Sequence, residues 1–590
     1  MKNKIFRKTI FLLIFFIQFT FAQVVKVKII ETSDVHGAIF PHNFLIDKPA
    51  NSSLAQIQTY LKEQRADTNQ IIILLDNGDI LQGNPAIYYI NFHKLEGPHL
   101  LADIMNYMQY DAGTIGNHDI DPGPEVYNRF MRDIKFDWLA ANAIDETTNK
   151  PYFKPYTTIE RGGIKVAIFG MITPYVPNWL AEKLFKGIKF EDMVETAKAW
   201  VKKIRAWEQP DLLIGLFHSG VDYNYGGQNE LTPKNENASE LVAKLVPGFD
   251  IVFVGHDHQG HNYKIRNIDD GEVLILGTQA NAKTLAVANV TLQFDKHCSF
   301  FEIKEKSGEI IDVKNYEPDK EFLDRYSELF NEIKNYTSQK IGINKTLIKS
   351  SDGLFGPSIA TDFINSIQLE ISKADISFTP PFSFNDEILP GDIFIRDIFS
   401  LLRYENYLYT IELTGKEIKD YLEYSYNNWF NKMQNENDNL LRYKTNNKGE
   451  LIYSNRTNSP ELYERFYNYD CAAGIDYVVD LTKPYGEKIE IKKFSNGKNF
   501  DLNSKYKVAI NSYRGSGGGG HLTKGAGIPK EKLKERILFS TETDLRHYVI
   551  EWIKEKKVIE PKLLNNWKII PENYWLKGKE KDYKILFGKN

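Results

Sequence analysis

Five short polar clusters lie in the first half of the chain, each next to an apolar run of the kind that forms a buried strand. They are Asp34-Val35-His36, Gly78-Asp79, Gly116-Asn117-His118-Asp119, His218-Ser219-Gly220 and Gly255-His256-Asp257-His258. Carboxylates, imidazoles and amides are ligands of divalent cations. Because the functional loops of a layered α/β domain gather where its strands end, the pattern predicts that these side chains converge.

Strand-like and helical stretches alternate through this half of the chain. β-branched runs predict strands over residues 24–33, 71–75, 165–170, 212–216 and 251–254. Helical spacing of apolar residues predicts helices over 53–65, 100–107 and 190–206. This alternation is typical of a layered α/β domain, and we place it at residues 24–315.

The full length of 590 residues is too great for one domain. A charged amphipathic pattern over 319–336 predicts a helical connector, placed at 316–341. A second domain of α+β type is predicted over 342–551, with a helix at 415–426 and a strand at 506–510. Residues 552–590 are predicted to be a tail that packs loosely on the surface.

The N-terminus has the pattern of an export signal. A basic start precedes an apolar core over 10–17 and the small-residue site Thr20-Phe21-Ala22 before Gln23. A membrane anchor is the alternative, but the apolar run is far shorter than the ~20 residues that span a bilayer. We therefore expect a signal peptide at 1–22, periplasmic or extracellular location, and no transmembrane segment in the mature chain.

Composition narrows the class of partner. The net charge is −4, so no general basic field favours nucleic-acid polymers. Cys298 and Cys471 are the two cysteines, which excludes a disulfide framework and a cysteine-based zinc site. We expect both to be unpaired; a bridge between them is the alternative.

The clusters supply enough ligands for two divalent ions, which in phosphoryl transfer lie ~3.5–4 Å apart. Alternation along an extended segment would put Asp34 and His36 on one side, where they bind the first ion with His258. Asp79, after the turn at Gly78, would bridge the two ions. The second ion would also be bound by Asn117, His218 and His256. Zn, Mn, Fe and Co all suit such ligands.

A general acid is predicted beside this site. His118 follows the proposed ligand Asn117, and Asp121 is close enough in a tight turn to accept its N–H and favour the charged ring. Alternatively, Asp121 caps a helix that follows Pro122. Ser219 is not expected to be a nucleophile, because no nucleophile elbow surrounds it.

In this order, the clusters resemble the calcineurin-like metallophosphoesterases. Two longer strings, 32–37 (TSDVHG) and 75–83 (LDNGDILQG), are similar to the family of 5′-nucleotidases and 2′,3′-cyclic-nucleotide 2′-phosphodiesterase/3′-nucleotidases. Segments of the second half resemble the C-terminal domain of that family: Leu413-Thr414-Gly415-Lys416-Glu417, Ala473-Gly474-Ile475-Asp476-Tyr477 and 511–519 (NSYRGSGGG).

The resemblance covers nearly the whole mature chain and implies both fold and activity. It implies a layered β-sandwich flanked by helices, which carries two metals, and a separate α+β domain that binds the nucleoside. Hydrolysis would proceed by in-line attack of a metal-bound hydroxide on a nucleotide. Two aromatics clamp the base in that family, and Tyr469 and Tyr513 occupy those places by similarity; the alternative is that both are core tyrosines.

The chain departs from the family pattern at two places; the first leaves the ligand and acid positions intact, and the second bears on the substrate. Asp119 and Ile120 stand where members commonly carry Glu and an aromatic, and Gly519 stands where the 5′-nucleotidase branch often has Asp. The string around Tyr513 resembles the cyclic-phosphodiesterase branch, whereas Asp121 fits the 5′-nucleotidase branch. The position of the phosphate on the ribose therefore stays open. Nucleotide-sugar pyrophosphatase or general phosphodiesterase activity and nucleotide binding without catalysis remain as alternatives.

Overall fold

The computed structural model describes residues 24–295, 300–454 and 459–588. The predicted signal peptide and Cys298 lie outside these residues. In the part of the chain that is described, no helix combines the length and the apolar character needed to cross a membrane.

Two six-stranded sheets form the first domain. In spatial order, the first sheet consists of Phe300–Asp312, Thr284–Asp295, Val24–Thr32, Ile71–Asp76, Ala112–Thr114 and Asp137–Leu139. The second consists of His261–Arg266, Glu272–Gly277, Ile251–Val254, Leu212–His218, Ile164–Ile172 and Tyr156–Arg161. The central strands of both sheets run parallel. Parallel neighbours end at the same edge, and the polar clusters follow those ends.

The facing sides of the two sheets form a common apolar core. Ile29 and Ile73 from the first sheet and Ile168, Ile214 and Phe253 from the second are each 0% exposed in one cluster. Burial of a large apolar side chain contributes roughly 1.5–3 kcal/mol. This packing fixes the sheets against each other and thereby the relative positions of their strand ends.

Helices cover the outer faces of both sheets. Those packed outside the first sheet are Leu54–Ala66, Pro85–Phe92, Leu100–Met108 and Pro124–Asp133. Those outside the second are Met193–Trp207 and Ser239–Leu245. The predicted layered β-sandwich flanked by helices is thus confirmed.

The connector is broken into two helices, Lys320–Arg325 and Ser327–Thr337, with Tyr326 between them outside helical geometry. Asp319 caps the first by accepting a hydrogen bond from the backbone N–H of Phe322. The predicted helical pattern is correct, and the break was not anticipated.

The second domain has mixed sheets and helices, which confirms the predicted α+β class. Its largest sheet consists of Cys471–Ala473, Ile376–Thr379, Lys505–Asn511, Leu408–Thr414 and Ile537–Ser540. Its three-stranded sheets consist of Gly391–Phe394, Lys340–Asn344 and Val558–Ile559, and of Ile489–Phe494, Ile475–Asp480 and Trp567–Ile570. Its longer helices are Ile359–Ser372, Ile395–Leu401, Gly415–Trp429, Leu545–Lys556 and Glu572–Phe587.

The C-terminal segment is not a loose tail, so that expectation is wrong. Trp567–Ile570 pairs in parallel with Ile475–Asp480 inside the second domain. In the helix that follows, Asp582 is 0% exposed and accepts a hydrogen bond from the backbone N–H of Leu441 over 2.7 Å. The lysine content of this segment concealed the buried residues that anchor it.

Candidate metal centre

The structure brings six of the seven proposed ligands into two adjoining groups. Ligand atoms within 4.8 Å of one another come from Asp34, His36, Asp79 and His258 in the first group and from Asp79, His218 and His256 in the second. Asp79 belongs to both, as the predicted bridging carboxylate should. Asn117, the seventh, is 4% exposed and begins the short helix Asn117–Ile120.

Buried polar atoms without a protein partner show that this site suits cations. Asp79 Oδ2, His218 Nε2 and Asn117 Oδ1 are each buried and make no hydrogen bond among the described residues. Asp79 Oδ2 lies 3.1 Å from His218 Nε2 and 4.0 Å from His36 Nε2. Leaving a buried polar atom unsatisfied costs free energy, and a bound divalent ion would remove that cost. The residues therefore fit a pair of metal ions.

The histidine tautomers are set by backbone carbonyls. His36 Nδ1 is 2.9 Å from the carbonyl oxygen of Gln82, and His218 Nδ1 is 2.6 Å from that of Asn77. A carbonyl oxygen only accepts, so both Nδ1 atoms carry the proton and donate. Each Nε2 is left with a lone pair for a metal ion.

The first group is completed by Asp34 and His258. His258 Nε2 lies 3.3 Å from Asp34 Oδ1 and 3.2 Å from His36 Nε2. Ser33 Oγ donates to the other oxygen, Asp34 Oδ2, over 2.6 Å. The hydroxyl therefore orients this carboxylate and leaves Oδ1 toward the histidines.

The ligand loops share an unusual backbone conformation. Positive φ angles of 47–75° occur at Asp34, His36, Asp79, His256 and His258. Residues other than glycine rarely adopt this left-handed backbone region, and the strain of doing so is concentrated at functional sites. The extended-segment reason for pairing Asp34 with His36 is therefore wrong. The strand ends at Thr32, and a left-handed turn brings the two side chains together.

Two glycines allow the loops to approach closely. A Cβ at Gly78, whose φ is +84°, would lie 2.5 Å from the backbone N of Gly116. A Cβ at Gly116 would lie 2.1 Å from Asp79 Oδ1. A larger residue at Gly116 would displace the Asp79 carboxylate, and one at Gly78 would displace the Gly116 backbone. The positive φ at Gly78 is the sharp turn that the sequence predicted.

Asp119 is a site residue whose role the sequence did not reveal. Its buried carboxylate accepts hydrogen bonds of 2.7–2.9 Å from the backbone N–H groups of Asp79, Ile80, Leu81 and Gly116. It thereby holds the Asp79 loop against the Asn117 loop. Its place directly after the Asn-His pair was the available signal.

Glu236 is a second residue that the sequence did not single out. Its Oε1 lies 3.4 Å from His256 Nε2, and the ring of Trp179 stacks on that imidazole with centroids 5.4 Å apart. If His256 Nε2 carries the proton and donates it to Glu236, the lone pair of His256 Nδ1 is free to bind a metal ion. Glu236 lies in an irregular loop without periodicity, so no pattern marked it.

His118 and Asp121 form the predicted pair. His118 Nδ1 donates to Asp121 Oδ2 over 2.5 Å, and the imidazole packs edge-on to that of His36 at 5.5 Å. Burial alone would lower the pKa of His118, but the carboxylates of Asp121 and Asp79 raise it to about 9. The alternative role of Asp121 as a helix cap is wrong, because the next helix begins at Pro124 after Gly123, with no side-chain cap.

Tyr469 does not lie where a base could reach it. It is 1% exposed, and its ring stacks on Trp429 at 5.2 Å with an interplanar angle of 5°. Tyr426 and Phe430 pack against the ring edge-on. The assignment of Tyr469 to a base clamp is therefore wrong. Tyr469 is a core tyrosine, which was the alternative.

Tyr467, two residues earlier, lies beside Tyr513 instead. Both rings are partly exposed, with centroids 6.4 Å apart and an interplanar angle of 80°. Tyr467 and Tyr469 are the same residue type two positions apart, and the sequence-based assignment named only Tyr469. Only the packing of the second against Trp429 distinguishes them.

A loop at residues 403–407 connects this tyrosine pair to the catalytic side of the first domain. The ring of Tyr404 lies 6.0 Å from that of Tyr467. Burial is the main cause that raises the pKa of the next residue, Glu405, to about 8, and the charges of Asp121 and His118 also act on it. The loop therefore contacts Tyr467 through Tyr404, and its Glu405 lies within electrostatic range of Asp121 and His118.

Further contacts hold the domains together in this arrangement. Ser516 Oγ donates to the carbonyl oxygen of Leu180 over 3.1 Å, close in sequence to Tyr513. The ammonium of Lys183 lies over the ring of Tyr407, 3.4 Å from its centroid. These contacts place the second domain beside the segment whose Trp179 stacks on His256.

Two family profiles match the chain. The calcineurin-like phosphoesterase profile matches residues 27–260, and the profile of the 5′-nucleotidase C-terminal domain matches residues 341–524. The first match includes all seven proposed metal ligands. The second includes Tyr467 and Tyr513.

Curated relatives are distant but extend over most of the chain. The trifunctional nucleotide phosphoesterase protein YfkN of Bacillus subtilis is 25% identical over 93% of this chain, which spans 39% of that protein. The 2′,3′-cyclic-nucleotide 2′-phosphodiesterase/3′-nucleotidase of Salmonella typhimurium is 25% identical over 93% of this chain and 90% of its own length. The 5′-nucleotidase of Vibrio cholerae is 23% identical over 67% of this chain and 75% of its own length.

Solved structures share the two-domain fold. A candidate 5′-nucleotidase from Staphylococcus aureus superposes with a TM-score of 0.73 at 20% identity, covering 92% of this chain and 99% of that one. A 5′-nucleotidase precursor from Thermus thermophilus superposes with a TM-score of 0.60 at 20% identity, covering 93% and 100%. At this identity the likeness concerns the fold alone.

Proposed function

Because the chain belongs to the calcineurin-like phosphoesterases that carry a 5′-nucleotidase C-terminal domain, we propose that it is an exported, dinuclear nucleotide phosphoesterase. Its substrates would be nucleoside monophosphates, 2′,3′-cyclic nucleotides or both, and its products nucleoside and phosphate. One observation carries this proposal: Asp79 is shared by two groups of ligands, and its Oδ2 and the Nε2 of His218 are buried without a hydrogen-bond partner among the described residues.

The ligands divide between two cations. Asp34, His36 and His258 would hold the first with Asp79, and Asn117, His218 and His256 would hold the second with Asp79. When bound, such a pair would polarise the phosphoryl group and lower the pKa of a coordinated water to near neutrality. Zn and Mn both suit these nitrogen and oxygen ligands.

His118 would assist departure of the leaving oxygen. With Nδ1 bonded to Asp121, its proton for transfer is on Nε2, and the cationic ring stabilises negative charge that develops on the phosphoryl group. Asp121 fixes the tautomer and supports the charge. His118 is the catalytic residue in this proposal, and Asp121 acts through it.

The second domain would hold the base between Tyr467 and Tyr513. Stacking on aromatic side chains contributes roughly 1–3 kcal/mol per base and tolerates any base. Since the tyrosines and the metal ligands belong to different domains, rotation of one domain would admit the nucleotide and then bring its ester to the cations. An interdomain crosslink that left turnover unchanged would contradict that rotation.

A substrate panel tests the proposal. Metal-loaded protein with added Mn or Zn is assayed for phosphate release from 5′-AMP, 3′-AMP, 2′,3′-cyclic AMP and a UDP-sugar, with Asp79→Asn as the inactive control. Turnover of any of the first three supports the proposal, and their ratio identifies the ribose position. Cleavage of the UDP-sugar alone would indicate a nucleotide pyrophosphatase. Nucleotide binding without turnover would indicate a binding module.

A further inference from the structure

A buried arginine joins the two segments that carry Tyr467 and Tyr513. Arg514 is 0% exposed and directly follows Tyr513. Its Nε and Nη2 donate to the two carboxylate oxygens of Asp470 over 2.9 and 2.8 Å. A two-point pairing of a planar guanidinium with a carboxylate fixes the orientation as well as the distance of its partners.

The remaining N–H groups of Arg514 are also satisfied. Nη1 donates to Asn468 Oδ1 and to the carbonyl oxygen of Gly518, both over 3.0 Å, and Nη2 donates to the carbonyl oxygen of Tyr467 over 2.8 Å. All five N–H donors of the guanidinium thus have acceptors. Four of these hydrogen bonds cross from the Tyr513 segment to residues 467–470.

Gly519 makes room for this guanidinium. A Cβ at Gly519 would lie 2.3 Å from Arg514 Nη1 and 2.5 Å from Asn468 Oδ1, and its φ is +68°. A side chain at 519 and the guanidinium therefore exclude each other. This gives a physical reason why glycine occupies a position where the 5′-nucleotidase branch often has Asp.

We infer that Arg514, held by Asp470, is a positioning residue that sets the separation and tilt of Tyr467 and Tyr513 for a nucleobase. The inference rests on the proposed function, because it requires that a base stacks on this pair. Arg514 is fully enclosed, so it acts through the tyrosine segments and not through contact with the substrate. Without it, the two segments lose these four hydrogen bonds and keep the one from the Tyr513 hydroxyl to Asn468 Oδ1, 3.2 Å long, so the relation of the rings is no longer fixed at several points.

Calorimetric titration of the metal-loaded full chain separates this role from a general loss of stability. Adenosine reports on the tyrosine pair, and inorganic phosphate reports on the metal centre. Lys488→Met is the matched control for Arg514→Met. Lys488 is also a buried cation of the second domain, 1% exposed, and donates to the carbonyl oxygens of Phe430 and Asn431.

Arg514→Met is expected to weaken adenosine binding by about tenfold or more while phosphate binding stays within about twofold. With the preferred nucleotide, KM rises and kcat is maintained. Lys488→Met is expected to leave adenosine affinity unchanged, whatever its effect on the unfolding temperature. If Arg514→Met leaves adenosine affinity unchanged, or if both variants lower it equally, the inference is overturned.

Gly519→Ala provides a second route should Arg514→Met fold poorly. The added Cβ must displace the guanidinium, so this variant is expected to weaken adenosine binding as well. In the Arg514→Met background it should weaken adenosine binding by a smaller factor than in wild type, because the guanidinium is already gone and only the clash with Asn468 Oδ1 and the positive φ remain. Full additivity of the two changes would count against the inference. Wild-type protein that cleaves nucleotides but binds no adenosine would overturn both the role of Arg514 and the base clamp. Wild-type protein that binds adenosine but no phosphate would count only against the metal centre.

Discussion

His118 donates a hydrogen bond from Nδ1 to Oδ2 of Asp121 over 2.5 Å. The backbone N–H of His118 also donates to Asp79 Oδ1 over 2.7 Å. The candidate acid is therefore fixed to the metal-binding carboxylate by its own backbone. Removing the His118 side chain therefore removes the candidate acid and leaves the backbone hydrogen bond to Asp79 in place.

His118→Ala is expected to retain the bound metal and to lose most turnover. The backbone bond to Asp79 survives the substitution, whereas general acid catalysis contributes roughly 10²–10⁴-fold. Elemental analysis of the variant checks the metal content, and kcat on the preferred nucleotide checks the loss. Unchanged turnover would remove the acid role from His118.

Turnover should depend on pH through the same ring. The donor is protonated His118, so kcat declines as the pH rises through its pKa, which Asp121 and Asp79 together raise to about 9. Bound cations offset the charge of Asp79, and the decline in the loaded enzyme therefore falls between the usual value of 6.5 and about 9. Asp121→Asn should move the decline to lower pH in a profile of kcat against pH. An identical profile in both proteins would contradict the pairing.

Variants of Tyr467, Tyr513 and Tyr469 test which tyrosines hold the base. Tyr467→Ala and Tyr513→Ala should each raise KM for nucleotides by roughly 5- to 150-fold, the range that stacking energies of about 1–3 kcal/mol imply. Tyr469→Phe should leave KM unchanged. It should also leave stability unchanged or slightly higher, because the hydroxyl it removes is buried without a hydrogen-bond partner among the described residues. Because Phe keeps the stacking ring, the deciding variant is Tyr467→Ala: an unchanged KM there would contradict the assignment of Tyr467 to the base site.

Glu405 should make the folded protein less stable as the pH rises. Its side chain is 5% exposed, and burial raises its pKa from 4.5 to about 8. A carboxyl with a raised folded-state pKa gives its full stability below the unfolded value and loses it as the pH rises toward about 8. Glu405→Gln removes this ionisation. The difference in unfolding temperature, variant minus wild type, should therefore be larger at pH 8 than at pH 5. The reverse order would show that Glu405 is ionised and well paired with Arg546.

Much of this architecture could be predicted because its local signals agree with its packing. The strand predicted over 71–75 is observed at Ile71–Asp76, and the next residues, with Gly78 at positive φ, form the turn that presents Asp79. A polar cluster directly after a buried strand is a local pattern. The proposed metal ligands follow such strand ends, so a local pattern marks them in the sequence.

The remaining features depend on contacts between distant segments. Tyr467 and Tyr469 are alike in the sequence and differ only in that Trp429 and its neighbours enclose the second ring. The burial of Asp582 depends on a loop more than a hundred residues away in the chain. Neither fact leaves a periodic signal near the residue concerned. Tertiary contacts therefore determined the features that the sequence did not reveal.

Metal content is the measurement that tests the central claim most directly. The claim is that one carboxylate, Asp79, joins two cation sites. Elemental analysis of purified wild-type protein after loading with Mn or Zn should find about two ions per chain, and Asp79→Asn should lose tight binding of both while remaining folded. Active wild-type protein with one ion or none, or an Asp79→Asn variant that retains both ions, would contradict the account.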